Sequence, residues 1–230
     1  MVAHSSSSWN SFESVFAVAD QYSMCGRARL HNLYYGALRA AALYPEANFV
    51  DCGVAAGGSS AVLAAALAAS QGCSSRRVYC FDTFKGLPPP GEHDSRGGQN
   101  AADLGWGEGT CAADASSLLA VCRELGIEDR VVPVKGLFEI TIPKWSDEIG
   151  PIACLHMDGD WYESTHQILE GFYQHILPQG IIQIDDYGYW DGCRKAVHEY
   201  FASNRLHINP HVIDSTGVWL LKSEVSAIHS

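Results

Sequence analysis

The 230-residue sequence contains no run of about 18 consecutive apolar residues, so we expect no membrane-spanning helix. Its polar start lacks an apolar core followed by a cleavage site, so we expect no secretory signal. No two of its eight cysteines have C-x-x-C spacing, and Cys52, Cys80 and Cys154 lie inside apolar, strand-like runs. These absences predict reduced, mostly buried thiols and a cytoplasmic protein without a membrane partner.

Basic residues are scarce, because 15 Lys and Arg face 26 Asp and Glu and give a formal net charge of −11. Such a surface repels a phosphate backbone, so nucleic acid is not expected as a partner. Apolar residues make up 47% of the chain, which is typical of a folded domain and not of a disordered one. Small neutral or cationic ligands and divalent cations are the partners left open.

Strand-like apolar runs alternate with helix-like segments from residue 48 onward. The predicted strands are 48–54, 77–83, 130–136, 152–159 and 180–186, followed by 207–213 and 217–223. The predicted helices between them are 60–70, 114–125, 162–177 and 193–203. This order predicts an α/β fold with a doubly wound, mostly parallel seven-stranded sheet and an antiparallel C-terminal hairpin.

Two segments differ from this alternating pattern. Residues 12–20 and 27–43 look helical, which predicts an N-terminal helical cap over 1–47 and a ligand-binding domain over 48–230. The apolar faces of the cap helices leave a homodimer open. The segment 86–109 is rich in Gly, Pro and charge and is too long for an ordinary connection, so it is a lid-like or a disordered insertion. Trp106 gives this segment a group that can dock, which favours the lid.

Ligands of open parallel sheets bind at the carboxyl ends of the strands. The predicted first strand ends in Asp51-x-Gly53 and leads into a helix that Ser59 or Ser60 can cap. The chain has neither G-x-x-x-x-G-K-[ST] nor G-x-G-x-x-G, which disfavours a P-loop enzyme and a nicotinamide dehydrogenase. An acid-x-Gly turn suits a ligand that carries a carboxylate and an amine, although a generic strand-to-helix turn explains it equally well.

The next two strand ends add to this picture. The second predicted strand ends at Asp82, where an acid can accept two ribose hydroxyls or can simply cap a turn. Lys135 and Gly136 end the third strand, and Phe138 follows in a predicted loop that could flank an adenine or belong to the core. Taken together with the acid-x-Gly turn, Asp82 favours an adenosine-containing cofactor.

The strongest signal is a convergence of carboxylates. Asp158 and Asp160 follow the fourth predicted strand, and Asp185 and Asp186 end the fifth. Neighbouring parallel strands bring these side chains together, and like charges that close call for a counter-ion. Hard oxygen ligands of this kind favour Mg²⁺. Caps and surface turns explain one such aspartate but not three, while the lone histidines, His156 among them, are interpreted as structural.

Several stretches together resemble the macrocin O-methyltransferase family. The matching stretches, which run in that family's order from Gln21 to Phe201, are YSMCGRARLHNLY, FVDCGVAAGGSS, YCFDTFKGLPPP, VVPVKGLFEITIP, LHMDGDWYEST and GIIQIDDYGYWDGCRKAVHEY. MDGDWYEST followed by IDDYG is the specific part of the pattern.

The resemblance implies a class I methyltransferase (Rossmann-like) fold and Mg²⁺-dependent transfer of a methyl group from S-adenosylmethionine to a hydroxyl of a sugar or other natural product. It implies that Asp158, Asp185 and Asp186 bind Mg²⁺ and that Asp158 is also the catalytic base. The residues expected to hold the cofactor are Met24, Asp51, Gly53, Ser59, Asp82, Thr83, Gly136, Leu137, Phe138 and Asp158.

One departure from related enzymes bears on the base. Related catechol-type methyltransferases carry a lysine three residues after the first metal aspartate, where this chain has Trp161, which argues against a lysine base. The residues alone also allow a Mg²⁺-dependent hydrolase that uses Asp158, Asp185 and Asp186 to activate water. That alternative leaves Asp82 and the acid-x-Gly turn without a role. A non-catalytic binding module predicts no cofactor affinity, although this sequence keeps the cofactor and metal positions.

Overall fold

A computed structural model describes residues 11–70 and 75–227. Within these ranges seven strands form one sheet: β1 Asn48–Cys52, β2 Val78–Asp82, β3 Val131–Lys135, β4 Ile152–Met157, β5 Ile176–Ile184, β6 His211–Val212 and β7 Val218–Leu221. Their spatial order is β3-β2-β1-β4-β5-β7-β6. The first five strands pair in parallel, whereas β7 is antiparallel to both of its neighbours. The predicted mostly parallel sheet with a closing hairpin is therefore confirmed.

Helices cover both faces of the sheet. Those of the described residues with more than one turn are α1 Phe12–Ala19, α2 Arg27–Leu43, α3 Gly58–Ala69, α4 Ala115–Glu124, α5 Phe138–Ile149, α6 Tyr162–Phe172 and α7 Asp191–Ser203. Buried side chains of α1 to α4 share one apolar core with Phe49 and Cys80 of the sheet. Those of α5 to α7 share a second core with Val50 and Phe81 on the opposite face. Alternate residues of one strand thus point to opposite cores, which explains why these strands are apolar throughout.

The helix α5 corrects the prediction that Phe138 lies in a loop, because Phe138 is its first residue. The sequence hides this helix for two reasons. Ile140, Thr141 and Ile142 are β-branched residues typical of strands, and Pro143 lies inside the helix. Burial of Ile142 and Ile149 against the second core outweighs these weak local preferences.

Two C-terminal boundaries also differ from the predictions. The predicted helix 162–177 ends at Phe172, and β5 begins at Ile176, four residues before its expected start. The predicted strand 207–213 is split, since Leu206–His207 pairs with Ser226–Ala227 while His211–Val212 pairs with β7. Pro210 lies between the two halves and has no N–H to donate to a ladder, which accounts for the break.

The helices α1 and α2 precede β1, as predicted for the cap, and pack into the same core as α3. The cap boundary at residue 47 stays a prediction, and residues 1–10 of the cap lie outside the described part of the chain. Among the described residues, no helix is both long and apolar enough to cross a bilayer.

Candidate active site

A cavity of about 580 Å³ opens where β1 to β5 end, within the range of roughly 300–1,000 Å³ that small-molecule sites occupy. Most of the sequence-predicted site residues line it: Met24, Gly53, Asp82, Thr83, Gly136, Leu137, Phe138, Asp158, Asp185 and Asp186. They come from the cap, from all five parallel strand ends and from the start of α5. The sheet topology thus brings together residues that lie more than 160 positions apart.

Asp51 and Ser59 lie behind the cavity wall and do not line it. The Asp51 carboxylate is fully buried and accepts hydrogen bonds from Ser59 Oγ at 2.9 Å and from Ser60 Oγ. Its second oxygen lies 2.8 Å from Nδ1 of His156. Both oxygens of Asp51 are therefore engaged within the protein, where they fasten the first turn of α3 to β4.

Gly53 forms the part of the wall where the backbone of β1 meets that of β4. Its φ is +88°, and a Cβ at this position would lie 1.7 Å from the carbonyl oxygen of Asp158. The Asp158 amide in turn donates to the Cys52 carbonyl at 2.8 Å. Only glycine allows this close approach, so Gly53 sets the distance between the acid-x-Gly turn and the carboxylates.

The Asp82 carboxylate joins two loops at the cavity wall. One oxygen accepts from the amides of Val54 at 2.7 Å and Ala55 at 2.9 Å, and the other from the amide of Phe84 at 2.6 Å. The Thr83 hydroxyl donates to the Gly86 carbonyl at 2.8 Å. Ala55 and Phe84 both have positive φ values, 45° and 52°, so the carboxylate holds strained backbone in place.

Three carboxylates converge at the ends of β4 and β5. Oxygen atoms of Asp158, Asp160 and Asp186 all lie within 4.8 Å of one another. Burial, followed by the neighbouring carboxylates, raises the pKa of Asp158 and Asp160 well above the ordinary value. Burial and the charge of Asp185 raise the pKa of Asp186 to about 7. This cluster concentrates negative charge that a cation would relieve.

The predicted metal ligand Asp185 lines the same cavity but is not one of the three clustered carboxylates. Its Oδ2 accepts a hydrogen bond from Arg29 of α2, and Arg29 also pairs with Asp214 at 3.1 Å. Its Oδ1 lies 3.7 Å from Nε2 of His156. Burial would lower the pKa of His156, but its interactions with Asp185 and Asp51 outweigh burial and raise it to about 9. Asp185 thus lies between the guanidinium of Arg29 and the imidazole of His156.

The segment 86–109, predicted as a lid-like insertion, is packed against the cavity. Trp106 lines the cavity and meets the ring of Trp190 at a centroid distance of 5.8 Å. Trp190 donates through Nε1 to Asp160 at 2.9 Å, so the segment reaches the carboxylate cluster through one intervening ring. Leu87 closes the segment by pairing with the backbone of Gly109 and Thr110.

Asp94 fixes this segment to α6. Its side chain is buried, and its two oxygens accept from the amides of Gly91 at 2.7 Å and Tyr162 at 2.8 Å. Tyr162 is the first residue of α6, so a loop residue supplies the N-cap that the helix lacks locally. Burial raises the pKa of Asp94 despite these two hydrogen bonds.

Asp94→Ala should therefore destabilise the protein by about 2 kcal/mol, since it removes a cap and leaves two part-buried hydrogen bonds without their acceptor. Asp94→Asn keeps one amide oxygen and should lose about half as much. Urea denaturation of the two variants measures the difference. Equal stability of Asp94→Ala and the wild type would contradict the anchoring role.

Three residues of this region were not predicted as site residues: Asp160, which was counted only among the converging carboxylates, Arg29 and Asp94. Asp160 follows Asp158 at a spacing of two, and its φ of 57° is a left-handed conformation that aspartate tolerates. Arg29 lies in the first turn of α2, and nothing local connects it with Asp185. Asp94 is an acid within a loop, and nothing local connects it with Tyr162.

Comparison with known proteins agrees with this geometry. The chain is 34% identical over 207 residues to 8-demethyl-8-(2,3-dimethoxy-alpha-L-rhamnosyl)-tetracenomycin-C 4'-O-methyltransferase of Streptomyces olivaceus, covering 90% of this chain and 77% of the relative. It is 30% identical to mycinamicin III 3''-O-methyltransferase of Micromonospora griseorubida, with 88% and 79% covered. The solved structure of the O-methyltransferase NovP matches with a TM-score of 0.77 at 28% identity, covering 88% of this chain and 82% of that one.

The match to NovP confirms the expected class I methyltransferase fold. The names of the two relatives favour methyl transfer over the hydrolase alternative. Residues 17–222 match the family described as macrocin O-methyltransferase (TylF), which is most of the chain. The chain belongs to this family of O-methyltransferases.

Proposed function

We propose that this protein transfers a methyl group from S-adenosylmethionine to a sugar hydroxyl of a glycosylated natural product, with Mg²⁺ as the required ion. One observation carries the proposal: the Asp158, Asp160 and Asp186 cluster and the glycine turn at Gly53 open on the same cavity. The sugar acceptor is supported by the names of relatives, one of which acts on a rhamnosyl compound.

The cofactor would lie along the ends of β1, β2 and β3. When bound, S-adenosylmethionine supplies an electrophilic methyl group on a positively charged sulfonium. Asp82 would accept the ribose hydroxyls, while Leu137 and Phe138 would flank the adenine and Met24 would close the site from the cap. Gly53, Thr83, Gly136 and Asp158 complete the proposed binding wall. Asp51 and Ser59 would act from behind it, by holding the turn that carries Gly53.

The donor set at the ends of β4 and β5 fits a hard divalent cation, because it offers carboxylate oxygens whose mutual repulsion favours a counter-charge. When bound, Mg²⁺ lowers the pKa of a hydroxyl next to it and fixes that hydroxyl's orientation. We assign Asp158 and Asp186 as ligands. Asp160 is within reach for the third position, and Asp185 would take that position if Arg29 released it.

The protein's own part in the reaction is then to orient the acceptor and to take up its proton. An Asp158 carboxylate oxygen would accept the hydroxyl proton, since Asp158 lines the cavity beside the proposed ion. The rings of Trp106 and Trp161 line the cavity and would limit the access of water to the reacting groups once cofactor and acceptor are bound. An activated methyl group requires alignment with its acceptor and no protein nucleophile.

Calorimetric titration with S-adenosylmethionine tests the cofactor assignment. We expect saturable one-to-one binding, and Asp82→Ala should weaken it by at least about tenfold, because the variant loses the ribose acceptor and frees three loop amides. Asp103→Ala, an exposed acid outside the cavity, is the matched control and should bind as the wild type does. Unchanged affinity of Asp82→Ala would contradict its assignment.

Activity is measured by mass spectrometry of rhamnosides and other deoxysugar glycosides incubated with cofactor and Mg²⁺. The expected product is heavier by one methyl group in place of a hydrogen. Hydrolysis of a phosphate ester with Mg²⁺ and without cofactor would instead support the hydrolase alternative and overturn the proposal.

A further inference from the structure

Three aromatic rings line the cavity together with the carboxylates, those of Trp106, Trp161 and Tyr189. The buried ring of Trp190 contacts all three, with centroid distances of 5.8, 5.0 and 4.9 Å respectively. Trp190 also donates to Asp160 at 2.9 Å, so this aromatic wall is tied to the carboxylate cluster. A sugar ring offers C–H groups that pack on aromatic rings and hydroxyls that donate to carboxylates, and the cavity provides both partners.

Tyr189 is the ring of this wall that is best placed to contact an acceptor. Trp161 is only 2% exposed and donates through Nε1 to the Pro88 carbonyl at 2.8 Å, so its ring is mainly part of the packing. Tyr189 is half-buried, and its amide donates to the Asp186 carbonyl at 3.0 Å. A sugar ring packed on Tyr189 therefore lies next to the carboxylates at the end of β5, where the reacting hydroxyl has to be.

Arg96 holds the ring of Tyr189 in place. Its guanidinium carbon lies 4.0 Å from the ring centroid, and its Nη1 donates to the Tyr189 hydroxyl at 3.0 Å. Arg96 does not line the cavity, so it covers a part of the ring that the cavity does not use. Because the ring is held at its face and at its hydroxyl, the surface that it presents to the cavity is fixed before a ligand binds.

Arg96 is carried by a hairpin that docks on α7. Residues 95–100 form this two-stranded hairpin within the segment 86–109. Asp191, the first residue of α7, accepts hydrogen bonds from the Ser95 hydroxyl at 3.1 Å and from the Gly98 amide at 3.2 Å. These two bonds fix the hairpin on both sides of Arg96, which explains how an exposed arginine keeps its position over the ring.

We infer that Tyr189 binds the sugar ring of the acceptor and that Arg96 is a positioning residue that acts through Tyr189. The inference rests on the proposed methyl transfer and adds the side chain that selects its acceptor. A C–H face of the sugar packs on the tyrosine ring, while one hydroxyl reaches the carboxylate cluster. A 6-deoxysugar such as rhamnose suits this wall, because it carries a methyl group where other hexoses have a hydroxyl that would lose its water.

Saturation-transfer NMR measures this contact without turnover. The probe is methyl α-L-rhamnoside, which has no large aglycone, and S-adenosylhomocysteine replaces the cofactor so that no methyl group is transferred. Saturation of the protein should pass to the C–H protons of the sugar in the wild type, and Tyr189→Ala should lower this transfer at least about fivefold. Tyr35→Ala is the matched control, since Tyr35 is an exposed tyrosine of α2 outside the cavity, and it should keep the full transfer.

Kinetics with the same rhamnoside separate binding from chemistry. Tyr189→Ala should raise KM about tenfold and leave kcat within about threefold, because the ring contacts the sugar in the ground state and in the transition state alike. Arg96→Met should raise KM about threefold, and Arg96→Lys should recover part of the loss because it keeps a cation over the ring. Arg123→Met, a change of an exposed arginine on α4, should leave KM unchanged. A lower kcat with an unchanged KM in Arg96→Met would contradict the positioning role.

A second variant makes the result independent of the stability of Tyr189→Ala. Tyr189→Leu keeps an apolar side chain against Trp190 and should show the same loss of saturation transfer. Calorimetry with S-adenosylmethionine should give wild-type affinity for both variants, which shows that they fold and that the proposed cofactor site is intact.

Two results would overturn the inference. One is a wild type that transfers no saturation to the rhamnoside, or that transfers no more than Tyr189→Ala does. The other is transfer to the phenyl protons alone of phenyl α-L-rhamnoside, lost in Tyr189→Ala, which would assign the ring to an aglycone. Transfer to the sugar that depends on Tyr189, with no methylated product from any glycoside, would instead contradict the proposed function and support the sugar site.

Discussion

Gly53→Ala should remove cofactor binding and methyl transfer together and should destabilise the protein by at least about 3 kcal/mol. The added Cβ would lie 1.7 Å from the Asp158 carbonyl oxygen, and the backbone φ of +88° is itself unfavourable for alanine. To relieve the overlap, the acid-x-Gly turn and the end of β4 must move apart. Urea denaturation and calorimetry with S-adenosylmethionine measure the two effects.

Gly126→Ala is the control for this change. Gly126 has a similar φ of +70°, but nothing lies within 4 Å of the position that its Cβ would occupy. It should therefore lose only about 1–2 kcal/mol from backbone strain and should bind the cofactor normally. If the two variants were equally stable and bound the cofactor equally well, the close approach at Gly53 would have no importance.

Asp186→Asn should lower turnover by about a thousandfold, which corresponds to roughly 4 kcal/mol of transition-state stabilisation. The substitution keeps the size of the side chain but removes one of the negative charges that would bind Mg²⁺. Affinity for S-adenosylmethionine should stay within about threefold of the wild type, because Asp186 is not among the residues of the proposed cofactor wall. Steady-state kinetics and calorimetry with Mg²⁺ separate these effects.

A chelator provides the decisive comparison for Asp186. Treatment of the wild type with EDTA should lower its activity to about the level of Asp186→Asn, and the chelator should have little further effect on the variant. Asp103→Asn should respond to the chelator as the wild type does. A variant that is slow but still loses activity with EDTA would show that Asp186 acts in some way other than holding the ion.

The sheet was predictable because its central strands are apolar along their whole length and are separated by helices, which only a parallel sheet covered on both faces accommodates. The helix α5 was not predictable from the sequence. Its conformation depends on the burial of Ile142 and Ile149 in the second core, and local helix propensities do not indicate that burial. Pro210 was a visible signal for a break in the predicted strand 207–213. Nothing in the sequence, however, indicated that Leu206–His207 would pair with Ser226–Ala227.

For the candidate site, too, one part could be predicted from the sequence and another could not. The topology alone placed Asp82, Asp158 and Asp186 at one edge, because parallel strands end together. Side-chain direction was beyond prediction, since it depends on distant partners. Arg29, which holds Asp185, is 156 positions away from it, and His156, which engages Asp51, is 105 positions away.

The backbone pairing of Leu87 with Gly109 and Thr110 has an evolutionary consequence. It holds the two ends of a segment of more than 20 residues together, so the number of residues between them does not affect the geometry of the sheet. The entropy of closing a loop rises by only about 0.6 kcal/mol for each doubling of its length. Insertions and deletions between these ends can therefore change the length of the segment while β2 stays where it is. The pairing thus lets the segment change in length, as long as Asp94 and Trp106 keep their contacts with Tyr162 and Trp190.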